Sequence, residues 1–251
     1  MSAIPPRLLH LSASDQPLSV CDPPLREQQR PRPWLLRRPD HPARFAAPSR
    51  SSHGLLTPLA HSLLAQLSPV ERLRWQRQRH GPSQDLQLLA RAGLRQLLGR
   101  QLRLQAAQVP LTADRHGKPQ LACERAVELA FNLSHAGDLV LIGLHYRRPM
   151  GVDLEAVATA AALQAQGELL SVAAQVLSPS RCHALSQLKA QQQQRGFLRQ
   201  WCRREAQLKA LGVGLLGLAN RGAGAIADEQ THGFAITLPA EYEGYCCVQQ
   251  G

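Results

Sequence analysis

Aromatic residues are scarce in this chain, at 4% of 251 positions, so a hydrophobic core has to be built from Leu, Ala and Val. Lysine is scarcer still. Of 29 basic residues, only Lys118, Lys189 and Lys209 are lysines, and each stands where arginine was otherwise the rule. Acids are few, 18 against those 29, which leaves a net charge of +11 and points to anionic partners: nucleic acid, phosphate-rich ligands or an acidic protein. The six cysteines form no C-x-x-C pair. That argues against a zinc site and a disulfide framework and fits a reducing cytoplasm. No apolar run approaches the length of a membrane span, and Pro5-Pro6 interrupts the start where a signal peptide would need an apolar stretch. A cytoplasmic chain with no membrane partner is expected.

Proline, in contrast, is abundant at one end. Eleven of the 18 prolines lie at or before Pro58, and residues 1–54 are read as a mostly irregular proline- and arginine-rich extension, with an edge strand over residues 8–11 at most. From residue 55 the pattern changes. Ser68-Pro69-Val70-Glu71 has the form of an N-cap with Pro at the first helical position and Glu at the third. The helix it opens carries Arg72, Arg74, Arg77 and Arg79. A second helix follows from Asp85 to about Leu98. Its arginines and those of the first helix are spread around the helices with no interleaved aromatics, so no nucleic-acid partner is expected.

Further along, Asp114-Arg115-His116-Gly117-Lys118-Pro119 is a turn by composition, with Lys118 held extended by the proline after it. A short strand over Phe131-Asn132-Leu133-Ser134-His135 runs into a polar loop. Residues 139–144 form a buried strand, with residues 151–155 expected as its hairpin partner. Residues 156–176 are Ala-rich and helical. Leu177-Ser178-Pro179 opens a helix much as Leu67-Ser68-Pro69 does, which suggests a duplicated unit of about a hundred residues. The tail, residues 233–248, reads as strands around Pro239.

Two clusters carry chemistry. In Met150-Gly151-Val152-Asp153-Leu154-Glu155 the acids alternate with apolar residues, the period of a half-buried strand, so Asp153 and Glu155 share one face. Two carboxylates that close raise each other's pKa unless a cation lies between them. The pair fits either a divalent metal site or a solvated strand end. In Phe197–Gly212, Phe197, Trp201, Leu208 and Leu211 fall at helical spacing, Gly212 is placed to end the helix, and Glu205 and Lys209 project from one face. That pair fits either a functional set or an exposed ion pair.

Taken in order, Gly117-Lys118-Pro119, Asn132-Leu133-Ser134-His135-Ala136-Gly137, Gly151-Val152-Asp153-Leu154-Glu155 and Trp201-x-x-Arg204-Glu205-Ala206-x-x-Lys209-Ala210-x-Gly212-x-Gly214-Leu215 resemble the Sfp-type 4′-phosphopantetheinyl transferases. The resemblance covers roughly residues 67–240. It implies an α+β fold of two similar subdomains, each a small antiparallel sheet with helices, related by a pseudo-twofold; residues 55–149 and 150–251 would be the two halves. It also implies transfer of the 4′-phosphopantetheine arm of coenzyme A to a serine of an apo acyl or peptidyl carrier protein, with Mg²⁺, by a monomeric enzyme. Asp153, Glu155 and Glu205 would hold the metal, and Glu205 would act as base with Lys209 beside the pyrophosphate. Lys118, Pro119, Ser134, His135, Arg204, Lys209 and Arg74 would hold coenzyme A.

Two departures stand out. Gln84-Asp85-Leu86 lies where the family commonly has an arginine for the 3′-phosphate, and Ser180-Arg181 replaces an acidic pair. The first leaves a second reading open, a coenzyme A-binding protein without turnover.

Overall fold

The computed structural model describes residues 7–8, 31–37, 58–77, 82–114, 118–124, 128–213 and 230–250. Two sheets lie face to face at the centre. The first has strand order β1(Arg7–Leu8), β2(Arg32–Arg37), β6(Leu139–Tyr146), β5(Leu129–Ala136); the second has the order β7(Met150–Ala156), β9(Tyr242–Gln249), β8(Thr231–Ala235). All of their pairings are antiparallel except the two-residue β1–β2 contact. A separate small hairpin joins β3(Leu111–Ala113) to β4(Pro119–Leu121).

The period of two in the strands decides what each face meets. On β6, Val140, Ile142 and Leu144 join a core with α1(Pro58–Ala65), α2(Pro69–Arg77) and α3(Pro82–Leu102), while Leu139 and Leu141 point the other way. There they meet Met150, Val152 and Leu154 of β7 and Cys246 and Val248 of β9. The outer face of the second sheet is covered by α7(Ala190–Leu211), whose Ala206 and Ala210 lie on Cys247. Three shorter helices, α4(Val157–Ala165), α5(Leu169–Val176) and α6(Pro179–Ser186), pack with α7 around Phe197. The result is an α+β arrangement of mixed helices and small antiparallel sheets. Among the described residues no helix is long and apolar enough to cross a membrane.

Local signals placed most elements. Ser68 and Glu71 form the reciprocal cap of α2: Ser68 N donates to Glu71 Oε2 (3.0 Å), and Glu71 N donates to Ser68 Oγ (3.4 Å). Ser178 caps α6 in one direction only, its Oγ accepting from Arg181 N. Gly212 takes the left-handed conformation (φ 70°) that ends α7. The glutamine tract ahead of Phe197 belongs to α7, held by Gln164 Nε2 donating to Gln193 Oε1 (2.9 Å).

Two expectations are corrected. Residues 139–144 and 151–155 are not hairpin partners. The turn at Arg147–Pro149 carries the chain from one sheet to the other, and β7 pairs with β9 in full register, Asp153 opposite Tyr245. β7 stacks its apolar residues on β6 instead of pairing with its edge, because both edges of β6 are already taken by β2 and β5. The segment read as irregular contains β2, paired with β6 from Arg32↔Leu144 to Arg37↔Leu139. Trp34, Leu35 and Leu36 are each buried, alternating between the two cores, and this burial outweighs the prolines around them. Pro33 sits opposite Gly143, beyond the short reach of β1, so its missing N–H costs that side of the sheet nothing. The short strand expected over residues 8–11 falls at Arg7–Leu8, and residues 9–11 lie outside the described residues.

Candidate functional site

Gly151 lets the site form. A Cβ there would lie 1.9 Å from the Ala206 carbonyl oxygen and 2.7 Å from Ala210 N, so only glycine admits α7 this close to β7. That approach brings Glu205 and Lys209 over the strand face that carries Asp153 and Glu155. Lys209 Nζ donates to Asp153 Oδ1 (2.6 Å), to the Val152 carbonyl (3.3 Å) and to Ser134 Oγ (3.4 Å). Ser134 Oγ in turn donates to Asp153 Oδ1 (3.0 Å). Asn132, two residues earlier on β5, accepts from Val152 N (3.2 Å), which locks β5 against β7 at the register that aligns Ser134 with Asp153.

Charge in this cluster is out of balance. One lysine faces three carboxylates. Burial, with Asp153 and Glu205 adding repulsion, pushes Glu155 up to about 7 against the pull of Lys209 and a hydrogen bond from Trp201. Glu205 is raised by burial and Asp153, with Lys209 opposing. Asp153 Oδ2 and Glu205 Oε1 are buried and accept no hydrogen bond. Buried carboxylate oxygens left without protein donors are the donor chemistry of a hard divalent cation. Among the described residues no three His, Cys, Asp or Glu side chains converge into a ready-made metal cage. Mg²⁺ does not require one, since it keeps several waters and binds through one or two carboxylates plus phosphate oxygens. The residues present therefore fit the metal.

On the opposite face of β5 lies a cavity of about 370 Å³. His135 lines it, along with Leu133 of the same strand, Pro119 of β4, Glu71, Arg74 and Trp75 of α2, and Arg91 of α3. Ser134 and His135, adjacent in sequence, thus open onto different faces of the strand: one toward the acids, the other into the cavity. β5 is the edge strand of its sheet, so a ligand can cross from one to the other over its rim. Lys118 stands near that crossing. Its ammonium is held below the ordinary lysine value by desolvation first, with Asp114 opposing and the like charge of Lys209 adding to the effect.

The structure thus groups Asp153, Glu155, Glu205, Lys209 and Ser134 in one cluster and His135, Pro119 and Arg74 around the cavity. Arg204 is buried on α7 next to Glu205. Gly117, Gly214 and Leu215 lie outside the described residues. Sequence reasoning missed Glu71, Trp75 and Arg91 as cavity walls. Arg91 falls one turn before Arg95 on a face that only the packing of α3 against α2 reveals.

Two family models match adjoining stretches of the chain. Residues 57–145 match the family model described as 4′-phosphopantetheinyl transferase, N-terminal. Residues 149–249 match the 4′-phosphopantetheinyl transferase superfamily. The chain is similar to the Synechocystis sp. protein slr0495, provisionally named a 4′-phosphopantetheinyl transferase, at 31% identity over 68% of this chain and 66% of that protein. It is 37% identical to the 4′-phosphopantetheinyl transferase HetI of Nostoc sp. over 50% of this chain and 51% of HetI. It is 28% identical to the 4′-phosphopantetheinyl transferase psf-1 of Bacillus pumilus over 64% of each. The matched stretches span between about half and just under two thirds of these relatives' own lengths.

Proposed function

The chain belongs to the 4′-phosphopantetheinyl transferase superfamily, and we propose that it catalyses that transfer: the 4′-phosphopantetheine arm of coenzyme A moves to a serine hydroxyl of an apo acyl or peptidyl carrier protein. The observation that carries the reading is the pairing, across one edge strand, of a half-buried, cation-poor carboxylate cluster with a cation-lined cavity. A coenzyme A molecule draped over β5 would put its nucleotide among Pro119, His135, Arg74 and Arg91 and its pyrophosphate beside Lys209. The two halves of the chain, each a sheet with a long helix of 21 or 22 residues upon it, support the pseudo-twofold arrangement of subdomains.

In the reaction, the serine oxygen forms a bond to the phosphorus that bears pantetheine. The bond from that phosphorus to the bridging oxygen breaks, and 3′,5′-ADP leaves with the electron pair. Glu205 takes the serine proton; burial makes it more basic than an ordinary glutamate, and a base so placed contributes about 10²–10⁴-fold. Mg²⁺ held by Asp153, Glu155 and Glu205 would neutralise the charge building on the pyrophosphate. Lys209 is the nearest cation to the carboxylates and takes a phosphate oxygen, while Ser134 holds Asp153 in place. Lys118 guards the rim of β5, and Arg204 backs the turn of α7 that carries Glu205. An excess of 29 basic over 18 acidic residues suits an acidic carrier.

The test is a panel of purified apo carrier proteins incubated with coenzyme A, with and without Mg²⁺, read by intact mass. The reading expects a Mg²⁺-dependent gain of one phosphopantetheine on at least one carrier; coenzyme A binding with no gain on any carrier contradicts it.

A further inference from the structure

Two ties cross from the edge strand β5 to the second half of the chain, one on each side of Ser134. The first is Asn132 Oδ1, which accepts from Val152 N (3.2 Å). The second lies in the turn from β5 to β6. There Tyr242 Oη donates to Asp138 Oδ1 and accepts from Asp138 N (3.2 Å). The turn is shaped for that contact: Gly137 takes a left-handed φ of 56°, and a Cβ on it would run into Tyr242 Oη. Arg37 Nε of β2 stands 3.5 Å from Asp138 Oδ2, which leaves Oδ1 to the tyrosine. The Tyr242 ring packs with Ala136 against the core between the two sheets. Tyr242 is also placed to pass the contact on. It faces Ala156 at the end of the β7–β9 ladder, and the next residue, Glu243, faces Glu155. Glu243 Oε1 accepts from Arg195 Nη1 (2.8 Å) and its Oε2 from Arg199 Nε (3.3 Å), both on α7. Tyr242 and Glu243 therefore join three elements: the β5–β6 turn, the strand β7 that carries two of the acids, and the helix that carries Glu205 and Lys209.

We propose that Tyr242 is a positioning residue for the transfer: its hydroxyl, closed on Asp138, fixes how the first half, with Ser134 and His135 on β5, sits against the acids of the second. This assignment rests on the transferase reading. β5 pairs with β6 along its whole length, so it moves with the first sheet. Among the described residues no strand lies beyond it. The contacts that reach across from Ser134 are two single hydrogen bonds, 3.0 Å to Asp153 and 3.4 Å from Lys209. With the Asn132 tie alone, the strand can pivot about that point; the tie at Asp138 removes the pivot. Nucleotide and pyrophosphate lie on opposite sides of β5 in the transferase reading, so a pivot shifts one against the other and leaves the cavity intact. A misplacement of about 1 Å at the reacting centre costs on the order of 10²-fold in rate.

The experiment compares the full chain as wild type, Tyr242→Phe, Asp138→Ala, the double variant and Asp138→Asn. Each is measured for kcat of Mg²⁺-dependent transfer to an apo carrier and, by calorimetry, for the dissociation constant of 3′,5′-ADP. Tyr242→Phe keeps the ring and loses only the hydroxyl. Its kcat should fall by about 10-fold, part of the cost of a full misplacement, with the 3′,5′-ADP dissociation constant within about twofold of wild type. Asp138→Ala should fall as far, and the double variant no more than about twofold further, because both changes remove one shared contact. Asp138→Asn still offers Oδ1 to the tyrosine while losing the charge that faces Arg37, and should stay within about threefold of wild type. Unchanged kcat in Tyr242→Phe would overturn the assignment. So would equal loss of kcat and 3′,5′-ADP affinity, which would show a general structural role. Losses that multiply in the double variant, or an Asp138→Asn as slow as Asp138→Ala, would show that the Tyr242–Asp138 contact is not the cause. A wild type that transfers to no carrier contradicts the transferase reading itself, and this assignment with it.

Discussion

The two sides of β5 are opposite in charge and in how they are built. Toward β7 and α7, three carboxylates crowd around a single lysine, two of their buried oxygens have no donor, and Glu155 is pushed up to about 7. Toward α2 and α3, two arginines, Arg91 and Arg95, pair with a single glutamate, and Arg91 lines a cavity together with Arg74. Each side is unfavourable for the protein alone, and each would be relieved by a part of the same ligand: a metal-bridged pyrophosphate on one, a phosphate monoester on the other. The lesson is that the site's sign pattern is written in the residues left unpaired, with the edge strand insulating one side from the other.

The sharpest way to break this comparison is to destroy one side and ask whether the other survives. Gly151→Ala would drive a methyl group into the α7 backbone at Ala206 and push the helix off β7. We expect a loss of about 3 kcal/mol in stability, from overpacking against backbone that cannot yield, and no detectable transfer. The cavity is built from α2, α3 and β5, so calorimetric binding of 3′,5′-ADP to the folded variant should stay near wild type. Unchanged transfer would show that the close approach is irrelevant.

A smaller effect tests the acid side by pH. In metal-free buffer, native Glu155 holds a proton that the unfolded chain releases between about pH 4.5 and 7. The native state binds more protons than the unfolded state across that window, so stability falls as pH rises through it. Glu155→Gln removes the burden. Its melting temperature should exceed that of wild type at about pH 8, by a stabilisation on the order of 1–3 kcal/mol, and match it below about pH 4.5. A difference that does not vary with pH would contradict the assigned cause.

The smallest effect falls on the basic side. Ser68→Ala removes the cap of α2, the bond from Glu71 N to Ser68 Oγ, and one of the hydrogen bonds that hold the Glu71 carboxylate beside Arg95, while the bond from Ser68 N remains. A stability loss of about 1 kcal/mol is expected by chemical denaturation, with 3′,5′-ADP binding weakened and Mg²⁺ binding untouched. Weakened Mg²⁺ binding would mean that the two sides are not insulated.

What was legible in the sequence was local. The alternation around Asp153, the box at Ser68 and Glu71, the glycine stop at Gly212 and the reach of Glu205 and Lys209 from one helix face each depend on residues within a turn or two. The grouping of Asp153, Glu155, Glu205 and Lys209 followed once their elements were known. What stayed hidden depended on distant partners. A turn such as Arg147–Pro149 looks the same whether it closes a hairpin or passes between sheets; the outcome was decided by β9, which pairs with β7 from the far end of the chain. Arg32–Arg37 looked irregular because its prolines are visible locally while the β6 partner that buries Trp34 and Leu36 is not. Arg91 read as one arginine among many until α2 placed Glu71 and Arg74 beside it.

The central claim is that the acids perform the transfer while the other side of β5 holds the nucleotide. Glu205→Gln tests it most directly, assayed in parallel for Mg²⁺-dependent mass gain on an apo carrier and for coenzyme A binding. The account predicts transfer reduced by about 10²–10⁴-fold with coenzyme A affinity within a few-fold of wild type. Transfer at the wild-type rate, or loss of both transfer and binding in a folded variant, would contradict it.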